Sequence, residues 1–129
     1  MKGEDLISFD SRIDPEFKVI VIYKESQTYP LIKESLVALD NSIGALMPGQ
    51  NIILIDGERV NTEGLTDNHI LAIEAHEIAH AMLGHEGERN QTHEREADEL
   101  AIEILDSMDR KEAATLLRER MKSFLETSI

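Results

Sequence analysis

The 129 residues contain no cysteine, so neither a disulfide nor a thiolate metal site can form, and any metal must be held by His, Asp or Glu. No apolar run approaches the roughly eighteen residues that a membrane-crossing helix needs, and the opening Met1 to Leu6 lacks the apolar stretch of a secretory signal. Basic residues are scarce, 13 against 26 acidic, which gives a formal net charge of −13. That excess repels phosphate backbones and anionic headgroups, arguing against nucleic acid and membrane as partners, while a basic peptide or a metal cation is attracted. Most of the acids are expected to line solvated helix faces. Internal repeats, low-complexity tracts and a second domain are also missing from the pattern. The expectation is one globular domain over residues 1–129, long enough to bury a core and residing in the cytoplasm.

Phe17 to Tyr23 is rich in β-branched and aromatic residues and predicts a strand, as does the short apolar run Asn51 to Asp56. Residues 1 to 15 show no sustained period and leave strand or arm open. Pro30 suits a helix start, and Ile32, Leu36, Leu39 and Ile43 recur at a helical period, predicting a helix to about Ser42 that Gly44 closes. Met47 to Gln50 is a turn signal, and Asp56-Gly57 suggests a hairpin returning through Arg59 and Val60, before a loop over Asn61 to Leu65. A helix is then predicted from about Asp67 to Leu83, capped by Thr66 or Asp67, stopped by Gly84 and buried through Ile70, Ile73, Ile78, Met82 and Leu83. After a polar linker, Gly84 to Gln91, Thr92 can cap a helix striped by Ala97, Leu100, Ala101, Ile104, Leu105 and Met108. Asp109 and Glu112 stand at capping-box spacing for a last helix to about Glu126, its buried side formed by Ala113, Leu117, Met121, Phe124 and Leu125.

Within the first of these late helices lies His76-Glu77-Ile78-Ala79-His80. Residues i and i+4 share a helix face, so the two imidazoles can share one metal ion. Glu77 follows His76 by about 100° of rotation and falls beside both ligands, where its carboxylate can take a proton from metal-bound water. A zinc site with two histidines needs at least one more protein ligand and, for catalysis, a position left open. The downstream candidates are His85, His93 and the acids of Glu94-Arg95-Glu96-Ala97-Asp98. Glu94 and Asp98 are i and i+4, so one face offers a ligand carboxylate and a second carboxylate able to accept the free N–H of a ligating histidine. Ala97 and Ala101 on that side permit tight packing against the motif helix. Glu96 and Glu99 fall off it and read as solvent charges. His85 reads as a cation beside the last helical carbonyls, and His93 as an oxyanion donor or a surface residue of the cap region. Tyr23 and Tyr29 are further oxyanion candidates.

His76-Glu77-x-x-His80 followed by Glu94-x-x-Ala97-Asp98 resembles the gluzincin zinc metallopeptidases, and among them most closely the soluble ImmA/IrrE-like peptidases, with their compact active-site region and E-x-E-A-D-like stretch. The resemblance covers about Ile52 to Leu105 and includes an apolar strand before the motif helix, matching the edge strand beside the cleft in that clan. It implies an α+β, zincin-like fold in which a small sheet packs on a helical layer holding an active-site helix and a glutamate helix. It implies that His76, His80 and Glu94 hold Zn²⁺, that Glu77 is general base and then acid, that Asp98 orients a ligand histidine, and that the substrate is a protein or peptide. On this reading a peptide adds as a strand along Asn51 to Asp56 and presents its carbonyl to the metal.

Other metal-dependent hydrolases fit less well. Metzincins require H-E-x-x-H-x-x-G-x-x-H, and Leu83 and Glu86 stand at the corresponding positions. YbeY-like endoribonucleases carry a third histidine where this chain has Glu86, and the acidity disfavours an RNA substrate. A reading of a different class is a non-catalytic zincin scaffold that senses a partner without hydrolysing it.

Overall fold

The computed structural model describes residues 6–38, 43–47, 49–85 and 91–127, with the backbone alone at 37, 38 and 120–127. The chain is α+β, and its contacts divide into two compact units, Met1–Thr66 and Asp67–Ile129.

The first unit holds strands β1 (Leu6–Asp10), β2 (Lys18–Ile22), β3 (Gly44–Met47) and β4 (Ile52–Asp56), with helices α1 (Tyr29–Ala38) and α2 (Gly57–Thr62). The strands form one mixed sheet in the order β1-β2-β4-β3, parallel between β2 and β4 and antiparallel elsewhere. The two apolar runs expected as strands are its centre. Val19 pairs with Ile53 and Val21 with Ile55, and all four are buried. Side chains alternate faces along a strand, so this is a single apolar surface, each residue of which adds about 1.5–3 kcal/mol on burial. The open question over residues 1 to 15 is answered at 6–10 by the edge strand β1, which Lys18 fastens by donating to Asp10 at 2.9 Å.

The sheet corrects several expectations. β4 is flanked by β2 and β3, so its N–H and C=O groups are paired on both sides and it cannot be the edge along which a peptide adds. Gly44 opens β3 instead of closing a helix, and the Ile43 carbonyl before it accepts from the Asp56 N–H at 2.8 Å. The expected helix residues 39–42, like Pro48 of the turn and 1–5 at the start, lie outside the described residues.

Asp56-Gly57 starts a helix, not a hairpin. Asp56 caps α2 by accepting from the N–H groups of Glu58 and Arg59, at 3.1 and 3.3 Å. Gly57 fits here because a Cβ would stand 2.6 Å from the Tyr23 ring. The same Asp56 oxygen accepts from the buried Tyr29 hydroxyl at 2.9 Å, committing that hydroxyl to the cap. Burial, then this hydrogen bond, pushes the Tyr29 pKa up to about 12. An unfolded tyrosine ionises near 10, so between about pH 10 and 12 the unfolded chain releases a proton that the folded chain keeps. The contribution to stability is complete below pH 10 and is lost as the pH rises toward 12. Urea titrations across this range should therefore show a steeper alkaline loss for wild type than for Tyr29→Phe; parallel curves would remove Tyr29 as the cause.

The second unit is helical: α3 (Asp67–Met82), α4 (Gln91–Ser107) and α5 (Lys111–Thr127). Small residues dominate its interior, Ala72, Ala75 and Ala79 on α3, Ala97 and Ala101 on α4, and Ala113 and Ala114 on α5, with Leu71, Ile78, Leu105 and Leu117 filling between them. Small facing residues let helix axes approach closely. Asn68 donates to Glu112 at 2.6 Å between α3 and α5, and Arg118 pairs with Asp106 between α4 and α5.

Helix ends differ from expectation. Met82, Leu83 and Met108 are exposed, since each lies in or beside a last turn, and Ile70 and Ile73 are only half-buried. Thr92 lies inside α4, which begins at Gln91. Asp109 is no capping-box residue: its φ of 60° makes it the left-handed stop of α4, where the Arg110 N–H reaches back to the Leu105 carbonyl at 2.8 Å. The expected buried side chains Met121, Phe124 and Leu125 lie outside those described, as do residues 86–90 of the linker, including Glu86. Among the described residues no helix is long and apolar enough to cross a membrane.

Candidate metal centre

All four side chains expected to build a metal site lie within the second unit. His76 and His80 are one turn apart on α3, 3 % and 5 % exposed, with their rings edge to face and their Nε2 atoms 3.0 Å apart. Glu94 reaches them from the first turn of α4, where a carboxylate is favoured by the helix dipole. Its Oε1 lies 3.2 Å from His76 Nε2 and its Oε2 2.9 Å from His80 Nε2. One turn further on, the wholly buried Asp98 places Oδ1 2.7 Å from His76 Nδ1. The alanines bracketing these residues explain the convergence: a larger residue at Ala79, Ala97 or Ala101 would force the helices apart and carry Glu94 away from the imidazoles.

The protons at this site are set by its donors and acceptors. An ionised carboxylate only accepts, so His76 Nδ1 donates to Asp98, and in the neutral ring His76 Nε2 then carries the lone pair. That lone pair faces the Nε2 of His80 and the Oε1 of Glu94, while Glu94 Oε2 faces His80. Electron-rich atoms so arranged repel unless a positive charge stands between them. Ligand bonds of about 2.0–2.1 Å in a tetrahedral arrangement separate donor atoms by about 3.3 Å, close to the 2.9–3.2 Å between Glu94 and the imidazoles. His76, His80 and Glu94, each buried and offering ligand atoms within 4.8 Å of one another, can hold a metal ion.

Glu77 is 3 % exposed and lies three residues before His80, hence on a neighbouring part of the same helix face. Glu99 is exposed, in line with a solvent charge. The other expectations around the site change. His85 does not stand in solvent at the helix end: its side chain is 8 % exposed, and burial, with His93 and His80 beside it, pulls its pKa below the ordinary imidazole value. Its Nδ1 lies 3.0 Å from His80 Nδ1, and its Nε2 lies 3.1 Å from Glu96 Oε1. Glu96 is exposed, as expected of a solvent charge, and in addition pairs with His85. His93 stacks on His85 with ring centroids 4.0 Å apart. The sequence carried two signals for this group. His93 and Glu96 are i and i+3 on α4, and Gly84, at a φ of 73°, turns the chain so that the His85 N–H bonds the His80 carbonyl at 3.0 Å. Compared with known proteins, the chain matches no family model, no curated protein and no solved structure.

Proposed function

We propose that the chain is a zinc-dependent peptidase that hydrolyses peptide bonds in a protein or peptide substrate. The observation that carries this reading is the convergence of His76 Nε2, His80 Nε2 and the Glu94 carboxylate, with Glu77 adjacent on α3. Its support from the sequence is the likeness to gluzincins of ImmA/IrrE type. Two imidazoles and one carboxylate, with no thiolate in the chain, form a borderline-hard ligand set suited to zinc and leave it a net positive charge. When bound, the ion supplies Lewis acidity, lowering the pKa of water toward about 7 and polarising a carbonyl.

The protein's own groups have separate tasks. His76, His80 and Glu94 bind the metal, and Asp98 holds the His76 ring in the tautomer that presents Nε2. Glu77 accepts a proton from the attacking water at its carboxylate and delivers it to the departing amine, so one group serves as base and then acid.

The test is metal analysis of the purified chain, followed by cleavage of an unfolded protein with and without a chelator. About one equivalent of zinc and chelator-sensitive cleavage that zinc restores are expected. Cleavage indifferent to chelation, or absence of metal, would overturn the proposal, and zinc without cleavage would favour the sensor scaffold.

A further inference from the structure

His85, His93 and Glu96 form a second group whose ligand atoms lie within 4.8 Å of one another, half-buried at the histidines and exposed at the glutamate. Its geometry argues against a second ion. An imidazole lone pair lies in the plane of its ring, and the His85 and His93 rings are stacked, 4.0 Å apart and inclined by 13°. Nearly parallel planes at that separation do not meet at a point about 2 Å from both rings, as a shared metal would require. Both His85 nitrogens are engaged besides, Nε2 with Glu96 and Nδ1 with His80.

We propose that Glu96 and His85 form a hydrogen-bond relay that positions His80 as a metal ligand. The relay rests on the metal-binding part of the reading above and is independent of the hydrolysis. Its direction follows from the inventory of protons. The Glu96 carboxylate accepts, so His85 Nε2 carries the proton and donates, at 3.1 Å. In the neutral ring His85 Nδ1 is then a lone pair, and the atom facing it at 3.0 Å, His80 Nδ1, is the donor. In a neutral His80 ring, Nε2 then presents its lone pair beside Glu94 Oε2 and His76 Nε2, at 2.9 and 3.0 Å, where a cation would bind. Asp98 imposes the same tautomer on His76 directly, so each ligand histidine is set by a carboxylate of α4, one by contact and one through an intervening ring.

Two further contacts hold the relay ring in place. The left-handed turn at Gly84 ties the His85 N–H to the His80 carbonyl, fixing the backbone of relay and ligand together. His93 stacks on the His85 ring and limits its rotation. His85 and Glu96 are positioning residues: they act on the metal only through His80.

The experiment measures zinc affinity of the full chain by competition with a chelator, with far-UV circular dichroism on each protein. The proteins compared are wild type, His85→Leu, His85→Asn, Glu96→Ala and a double variant combining His85→Leu with Glu96→Ala. His85→Leu and Glu96→Ala should each weaken zinc binding by about 10- to 100-fold, the range for partners that orient a ligand. The double variant should bind no more weakly than His85→Leu, because Glu96 has no route to His80 once the ring is gone. Asparagine places its Oδ1 where the imidazole Nδ1 stood, so His85→Asn should recover affinity to within about threefold of wild type. Glu96 has a half-exposed side chain, so its exchange leaves the fold intact. Wild-type affinity in His85→Leu, or a Glu96→Ala loss that persists undiminished when His85→Leu is already present, would overturn the relay while leaving the zinc site standing. A wild-type chain that binds no zinc would remove both.

Discussion

Exchanging Glu77 for Gln should abolish peptide hydrolysis, by at least the 10²- to 10⁴-fold that a general base typically contributes, while zinc content stays at the wild-type level. The two halves of this expectation rest on different facts. Metal retention is expected because the proposed ligands, His76, His80 and Glu94, together form the cluster without Glu77. Loss of turnover follows because an amide matches the carboxylate in shape yet cannot accept a proton from water or hand one to an amine. The near-identical volume matters at a position only 3 % exposed, where a smaller residue would add a cavity to the chemical change. Parallel zinc analysis and cleavage assays decide the matter. Full activity in Glu77→Gln would remove the residue from the mechanism, and loss of zinc would place it among the ligands instead.

Much of the fold was legible because local pattern decides it. Two apolar runs rich in β-branched residues became the central strands, and the helix carrying the histidines runs from Asp67 to Met82, one residue short of expectation. Where the reading failed, the deciding contact lay elsewhere in the chain. Nothing within Asn51 to Asp56 distinguishes an edge from a centre; the distinction was made by β3, four residues opened by a glycine that also suited a helix stop. Asp-Gly suits either a hairpin or a cap, and Asp56 became a cap where its side chain also meets Tyr29. At the metal centre, spacing along one helix was enough to pair His76 with His80 and Glu94 with Asp98. Glu96 is exposed as expected, and only its contact with His85 was not legible, for the complementary reason. Its partner His85 comes from a turn whose course depends on the φ of Gly84, and no helical period encodes that.

Zinc should also be a large stabilising ligand of the fold. Without an ion the centre gathers the carboxyl groups of Glu94 and Asp98 and two imidazoles away from water, where like-charged and acceptor groups repel and are poorly solvated. An ion that neutralises them would bind the folded chain, whose α3 and α4 bring the candidate ligands together, and would find no such site in the unfolded one. At free zinc about 1,000 times the dissociation constant, linkage alone adds about 4 kcal/mol to stability. For a chain of this length that corresponds to a rise in Tm on the order of 10–20 °C. His80→Ala removes one of the three candidate ligands and should leave Tm indifferent to zinc, which separates binding at this centre from adventitious binding to the many surface acids. Magnesium at the same concentration serves as a second control, because it prefers oxygen ligands and octahedral geometry and gains little from two imidazoles. Equal zinc-induced shifts in wild type and His80→Ala would show that the stabilising ion sits elsewhere, and no shift in wild type would mean that the acceptors of α3 and α4 are neutralised by protons alone.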